Sequence, residues 1–168
     1  SMATRKSFAW SRTFFGNITG TGNLTVGGAG TEIMVGAHTY SGTTTVGGTA
    51  TLRTTVAGLA ANSAISTSSG STLDVYSTSD ENWTKSVSGA GNFTKSGTAT
   101  VTIAAGGLMP SIGGIGIGSG GTLKLDYSGN NASTAVLDLL ATARGTGEGL
   151  LMPIYSHVDG SGAGTRYT

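Results

Sequence analysis

Short runs in which apolar and polar residues alternate are the main feature of this chain. A period of two places every second side chain on one face, which is typical of a half-buried β-strand. Gly-Gly, Ser-Gly and Ala-Gly pairs separate the runs, as turns require. The pattern predicts strands with these apolar faces: Ile33 and Val35; Leu73 and Val75; Ala99, Val101 and Ile103; Leu123 and Leu125.

Apolar positions also recur at a longer interval. Val26 and Val46 lie 20 residues apart, and Ile103 and Leu123 lie 20 apart. Leu73 follows Leu52 by 21 residues and precedes Phe93 by 20. This interval is typical of one coil of a β-solenoid, whereas the strands of a β-sandwich, the alternative, recur every ~8–12 residues. We expect stacked coils whose equivalent inward residues form aliphatic ladders.

The predicted fold is therefore all-β: a β-solenoid of stacked parallel strands with coils of about 20 residues, plus one short late helix. Residues 18–128 form the predicted solenoid body. Residues 1–17 comprise a tag remnant and an N-terminal aromatic cap. Residues 129–168 form a C-terminal helix and strand cap, for which two interpretations stay open: a truncated end, or a strand that pairs with another chain. The stretch 105–121 contains Pro110, which argues against a central strand, so we expect a loop or bulged coil there.

The two ends differ from the body. Four aromatic residues lie within eight positions near the start: Phe8, Trp10, Phe14 and Phe15. They predict a cap that covers the open end of the solenoid. The alternative is a contact with a partner subunit. Ser1-Met2 is typical of a protease-cleavage scar before a cloned start, so we expect a piece of a longer protein. Apolar residues at helical spacing predict a helix over 131–144, followed by a strand over 150–155.

Composition narrows the class of protein. Only 10% of residues are charged, against ~25% in typical globular chains, and 30 are glycine. The net charge of +1 provides no basic surface for nucleic acid, and the absence of Cys excludes disulfides and thiolate chemistry. The sequence has no run of ~18 apolar residues, so it predicts no membrane-spanning helix. Such a chain is typical of an extracellular protein at a cell surface or on a virion.

One repeated phrase carries a family resemblance. Gly89, Gly91, Phe93, Lys95 and Gly97 follow a Gly-x-Gly-x-Leu-x-Lys-x-Gly pattern and precede an alternating strand. A second phrase, Thr39-Tyr40-Ser41-Gly42-Thr43-Thr44-Thr45-Val46, follows Asn-x-Tyr-x-Gly-x-Thr-x-Val. The two phrases resemble the autotransporter-associated β-strand repeat, over residues 18–75 and partly over 88–128. The earlier copy, Gly20 to Gly30, departs from the pattern because Val26 replaces the Lys.

The resemblance implies a right-handed β-helical passenger of a bacterial surface protein, for which adhesive roles are common. It is a scaffold motif, so it implies no catalytic residues. Similar repeats also fit a phage tail fibre or spike.

Candidate catalytic groups are few. A glycosidase needs two carboxylates facing one cleft, and no such pair is evident, although Asp74 and Asp126 lie on strands of different coils and can share a face. His38 and His157 lie far apart, and we expect a surface or turn position for each rather than a metal site. We therefore expect no enzyme, no metal and no cofactor.

Exposed aromatic residues are the best candidates for binding. Trp83 and Lys85 lie in the one charged cluster of the body, and Tyr40 and Tyr76 are weaker candidates. Trp and Tyr stack on sugars and anchor interfaces. The competing interpretation of Trp83 is that it covers a hydrophobic corner.

The predicted function is a non-enzymatic extracellular structural or adhesive module of a bacterial surface protein, which binds a host-surface glycan or protein through its lateral faces. We expect neither nucleic acid as a partner nor direct membrane insertion. One alternative is a phage tail fibre or spike segment that forms a homotrimer and binds a host receptor. The other is a polysaccharide-degrading β-helix, which requires a carboxylate cluster in one groove.

Overall fold

The computed structural model describes residues 10–59, 64–103, 112–118 and 120–125. These ranges contain no helix and form thirteen short strands. The strands are β1 Ser11–Phe14, β2 Leu24–Val26, β3 Ala29–Met34, β4 Thr44–Val46, β5 Thr49–Thr54, β6 Ile65–Thr67, β7 Thr72–Tyr76, β8 Glu81–Trp83, β9 Val87–Gly89, β10 Asn92–Ser96, β11 Thr100–Ile103, β12 Gly114–Ile117 and β13 Thr122–Leu125.

The strands stack into three parallel sheets. We call them sheet A, in the order β1-β3-β5-β7-β10-β12; sheet B, in the order β2-β4-β6-β9; and sheet C, in the order β8-β11-β13. Each strand pairs with the equivalent strand of the next coil, and every such pair among these thirteen strands is parallel. The result is a β-solenoid of about five turns, which confirms the predicted fold class.

The register confirms the predicted coil length. Val26 pairs with Val46, and Leu73 lies between Leu52 and Phe93, as the 20- and 21-residue intervals predict. The predicted stacking of Ile103 on Leu123 is wrong, because Leu123 pairs with Val101. The coil that runs from Val101 to Leu123 spans 22 residues, which moves the sheet C partner of Leu123 by two positions.

The core follows from the inward positions of sheet A. Leu52, Leu73 and Phe93 stack in consecutive strands, and each is fully buried. The next strand continues this column with Ile115, which packs against the core. Burying each large aliphatic side chain contributes about 1.5–3 kcal/mol, so the column is a main source of stability.

Sheet C closes the core with an aromatic contact. The indole of Trp83 meets the ring of Phe93 edge to face, with 5.3 Å between ring centroids. The indole Nε1 donates to the carbonyl oxygen of Lys85 at 2.7 Å, so its polar atom is satisfied inside the core. Trp83 therefore fills the corner between two sheets.

The predicted inward face of β3 is wrong. Met34 is buried, whereas Val35 is exposed and Ile33 is only partly buried. The register explains the difference, because Glu32 pairs with the buried Leu52 and so places every even-numbered residue of β3 on the inward side. Alternation alone favoured the β-branched residues, but the pairing with β5 decides the face.

The expectation of a loop or bulged coil over 105–121 needs correction at Gly114–Ile117, whereas residues 105–111 and 119 lie outside the described residues. β12 pairs with β10 and extends sheet A within that stretch. Ile115 and Ile117 supply the inward apolar positions, and Gly114 and Gly116 alternate with them. Pro110 lies outside the described residues, and β12 begins four residues after it.

Glycine allows close coil contacts at two corners. Gly89 has a φ of 106°, and an added Cβ would lie 2.1 Å from the carbonyl oxygen of Thr67. Gly97 has a φ of 78°, and its Cβ would lie 2.3 Å from the carbonyl oxygen of Ser77. Both the backbone angle and the lack of space require glycine at these positions.

Some predictions lie outside the described residues. These are the helix over 131–144, the strand over 150–155 and the placement of Asp126, Phe8 and His157. The right-handed sense of the coils stays a prediction. At the start of the described chain, β1 pairs with β3, so residues 11–14 extend sheet A.

Candidate functional site

The outer face of sheet A carries a group of contacting polar and aromatic side chains. We call Arg53, Asp74, Tyr76 and Ser96 the Arg53–Tyr76 patch. They come from three adjacent strands, β5, β7 and β10. Strand alternation places them outward, since Leu52 and Leu73, which precede two of them, are fully buried in the core.

Asp74 organises the patch. Its Oδ2 accepts a hydrogen bond from Arg53 Nε at 2.6 Å, and its Oδ1 accepts one from Ser96 Oγ at 2.6 Å. The Asp74 side chain is only 4% exposed, whereas that of Arg53 is 43% exposed. A buried carboxylate with both oxygens bonded is a fixed anchor, so it holds the guanidinium in one orientation.

Tyr76 provides the exposed aromatic surface of the patch. The residue is 42% exposed, and Arg53 Cζ lies 5.9 Å from its ring centroid. This separation is near the outer limit of a cation–π contact, about 6 Å. Arg53 and Tyr76 therefore present the guanidinium and the ring close together on the outer face of sheet A.

The strands on either side limit the patch differently. Arg53 pairs with Ile33 on β3, which is apolar and partly buried. In the other direction, Thr94 pairs with Gly116, so β12 presents no side chain at that position. A Cβ on Gly116 would lie 3.2 Å from the hydroxyl oxygen of Thr94, so the glycine leaves that side of the patch low and open.

The side chains of the patch can bind a ligand through hydrogen bonds and ring stacking. Because Nε is engaged with Asp74, the guanidinium can present its terminal nitrogens to a ligand. Tyr76 offers a ring face on which a sugar ring or another apolar group can stack. Both groups stand on parallel strands with a packed core beneath them, which restrains their positions.

Of the four predicted binding residues, one is exposed and three are buried. Tyr76 is exposed, as a contact residue must be. The expectation that Trp83 and Tyr40 are exposed is wrong, because they are 0% and 2% exposed. Lys85 is also buried. These three side chains do not join Tyr76 on the outer face of sheet A.

Each buried candidate has a structural role or environment. Trp83 fills the core corner described above, which is the competing interpretation of that residue. The hydroxyl of Tyr40 is hydrogen-bonded to that of Thr44 four residues later, inside the coil. Burial lowers the pKa of the Lys85 ammonium, since desolvation disfavours its charged form.

Sequence reasoning missed Arg53 and Ser96 and did not assign Asp74 its role. The signal was the coil interval, because Asp74 follows Arg53 by 21 residues on the same outward face. Ser96 lies opposite Tyr76 in the register and reaches Asp74 diagonally. A charged residue followed one coil later by its opposite charge identifies such a pair.

The described carboxylates have structural partners. Asp80 accepts the backbone N–H of Thr100, and Glu81 accepts the hydroxyl of Ser77. Glu32 lies 3.6 Å from Arg12, and Asp74 is bound as above. No group of three or more His, Asp or Glu residues that could hold a metal ion occurs among the residues described.

Two buried bases lie away from the patch. His38 is buried, which corrects the expected surface position, because its Nδ1 accepts the backbone N–H of Ile18 at 3.0 Å. Its Nε2 is buried with no hydrogen-bond partner, and burial lowers the pKa of the imidazole. The neutral ring fits this site, since protonation at Nδ1 would break the bond to Ile18.

The second buried base is Lys95, which matches the lysine of the repeat pattern. Lys95 Nζ donates to the carbonyl oxygens of Ser96 at 2.6 Å and Gly97 at 2.9 Å, which fixes the corner after β10. Burial lowers its pKa, and the negative charges of Asp74, Glu81 and Asp80 oppose that shift. Lys95 is therefore an internal clamp rather than a surface contact.

Comparison with known proteins adds no assignment. No family model, no curated protein and no solved structure matches this chain. In the part of the chain that the structure describes, no helix has the length and apolar character needed to cross a membrane.

Proposed function

We propose that the chain is a non-enzymatic extracellular adhesive module that binds a glycan or protein through the outer face of sheet A. The parent in this proposal is a bacterial surface protein of the autotransporter-passenger kind. The observation that carries the proposal is the Arg53–Tyr76 patch, in which a buried carboxylate holds a half-exposed guanidinium beside a half-exposed phenol ring.

Energetic considerations support a recognition role for this patch. Burying Asp74 has a desolvation cost, which its bonds to Arg53 and Ser96 offset. An apolar residue in place of Asp74 would stabilise the fold without that desolvation cost. Arg and Tyr are also enriched among the residues that dominate binding energy at interfaces. A fixed guanidinium and ring lose little side-chain entropy when a ligand binds.

The scaffold supports the same proposal. Sheet A presents a continuous lateral surface of six strands, and the core residues Leu52, Leu73 and Phe93 beneath the patch are fully buried. The described carboxylates serve as structural partners rather than as a pair that faces a substrate. These features fit a display surface better than a catalytic groove.

The test is adhesion of the immobilised chain to panels of host-surface glycans and extracellular matrix proteins. Tyr76→Ala removes the exposed ring and is expected to reduce binding about tenfold or more. Phe15→Ala is the matched control, because it removes a more exposed aromatic residue, 79% exposed, from the first coil. Equal binding by wild type and Tyr76→Ala would contradict the proposal.

One observation favours the phage-fibre alternative. The exposed aromatic residues of the first coil, Trp10, Phe14 and Phe15, lie close together in sequence and can serve an interface between subunits. Light scattering coupled to size exclusion tests this alternative. A trimer of the 16.6 kDa chain that Phe15→Ala dissociates would favour the fibre, whereas a monomer would favour the passenger.

A further inference from the structure

We infer that the ligand of the Arg53–Tyr76 patch is a saccharide that carries a carboxylate, of the uronic or sialic acid type. The inference rests on the proposed function and specifies its ligand class. It combines two observations, the oriented guanidinium of Arg53 and the exposed ring of Tyr76, which lie 5.9 Å apart.

The orientation of Arg53 carries the first step. A guanidinium has five N–H donors in a planar fork, and Asp74 engages the one on Nε. The two terminal nitrogens carry the other four N–H donors, and the edge that they form matches the two oxygens of a carboxylate. Since 43% of the side chain is exposed, a ligand can approach that edge.

Tyr76 carries the second step. Tyr76 is 42% exposed on the outer face of sheet A, so part of its phenol ring is open to a sugar ring that stacks on it. The adjacent guanidinium then lies beside the stacked ring, within reach of a substituent on it. A carboxylate on the sugar ring is such a substituent, so one residue of an acidic saccharide can engage both groups.

Three carboxylates near the patch would repel an anionic ligand if they were unpaired. Asp74 is paired with Arg53 on the outer side, and its negative charge also acts on the buried ammonium of Lys95. Asp80 and Glu81 act on the same ammonium and are bonded to Thr100 and Ser77. The exposed guanidinium is therefore the charged group of the patch that is best placed to meet a ligand directly.

Gly116 on β12 has no side chain, which leaves space for a ligand longer than one sugar residue. Gly116 stands outward beside Thr94, where any other residue would place a side chain next to the patch. Among the described residues, Gly116 places no side chain in the path of a saccharide that stacks on Tyr76 and continues over β12. This geometry favours an oligosaccharide chain over a single compact anion.

The experiment is calorimetric titration of the full chain with oligogalacturonate and with its carboxyl-reduced neutral counterpart. The inference predicts binding of the acidic probe at least tenfold tighter than the neutral one, with weaker binding at higher salt. Arg53→Lys should lose most of this preference, because an ammonium lacks the planar fork. Tyr76→Ala should weaken binding of both probes.

Two matched variants control for charge and folding. The double variant Arg53→Gln with Asp74→Asn keeps a hydrogen-bonding pair and the net charge but removes the guanidinium, so it should lose the preference for the acidic probe. Lys124→Gln removes one positive charge from sheet C, at an exposed position, and should bind like wild type. Melting curves identify any variant that fails to fold.

The outcomes separate this inference from the proposed function. Equal affinity for both probes, abolished by Tyr76→Ala, would overturn the acidic class and leave the adhesive surface intact. Tight acidic binding that survives the double variant would also overturn the inference, since the guanidinium would then be dispensable. Binding to neither probe, together with adhesion to matrix proteins that depends on Tyr76, would overturn the saccharide assignment alone.

Discussion

The first coil and the middle coils use the same inward positions of sheet A for different residues. In the middle coils one such column contains Leu52, Leu73 and Phe93, all fully buried. In β1 and β3 the same column contains Arg12 and Glu32, whose charged atoms lie 3.6 Å apart. The column thus changes from apolar to ionic toward the outermost described strand.

The comparison shows how burial depends on neighbours along the solenoid axis. A middle coil is covered on both sides, so its inward residues are dry and a charge there would be costly. Arg12 is 69% exposed in its side chain and lies 3.9 Å over the ring of Trp10, so it keeps its hydration. The patch that we propose for binding stands over the dry coils, which is where its geometry is best restrained.

The largest expected effect comes from the apolar column. Leu73→Ala should destabilise the chain by about 2–5 kcal/mol, because it removes buried methyl groups and leaves a cavity between Leu52 and Phe93. Urea denaturation measures the loss. A loss below about 1 kcal/mol would mean that the column is not close-packed.

A smaller loss is expected where glycine allows the coils to approach. Gly89→Ala should cost about 1–3 kcal/mol, because the Cβ would overlap the Thr67 carbonyl oxygen at a positive φ. Gly22→Ala in the first coil is the matched control, since a Cβ there meets nothing within 4 Å. Equal denaturation midpoints for the two variants would contradict the close contact.

The pH dependence of stability should come partly from His38, which lies between β3 and β4 in the second described coil. Burial lowers its pKa below the ordinary value of 6.5, so the unfolded chain binds the proton more readily than the folded chain. Stability is therefore full above pH 6.5 and falls as the pH drops through the window from 6.5 down to the folded pKa.

Thermal melts between pH 8 and 5.5 measure this effect. His38→Gln should flatten the pH dependence across the window, whereas His157→Gln serves as the control for the second histidine of the chain. A His38→Gln variant with the same pH dependence as wild type would show that His38 is not the responsible group.

The smallest effect is expected for the ion pair of the first coil. Arg12→Ala should change stability by about 0–1 kcal/mol, because exposed ion pairs contribute little. This position aligns with Leu73 along the column, so the two alanine variants measure the difference between the coils directly. A cost for Arg12→Ala as large as that for Leu73→Ala would remove the distinction.

The fold could be predicted from sequence because its signals repeat. The coil interval located the partners of Val46 and Leu73, and alternation located most inward faces. The interval failed at Leu123, where a longer coil shifts the register, and alternation failed at Met34, where the neighbouring strand decides the face.

The site was harder to predict because it depends on residues one coil apart. The sequence leaves two interpretations of Trp83 open, an exposed contact or a core corner, and its contact with Phe93 decides for the corner. Only the register brings Arg53, Asp74 and Ser96 together, since they lie more than 20 residues apart along the chain. Composition and short motifs do not contain that information.

Native-state hydrogen exchange tests most directly whether the Arg53–Tyr76 patch stands on the most stable part of the molecule. The account predicts that amides of β5, β7 and β10 open only with global unfolding, whereas those of β1 and β2 exchange faster through local opening. Exchange in β7 and β10 as fast as in β1 would contradict the account, because the proposed binding face would then lack a rigid base.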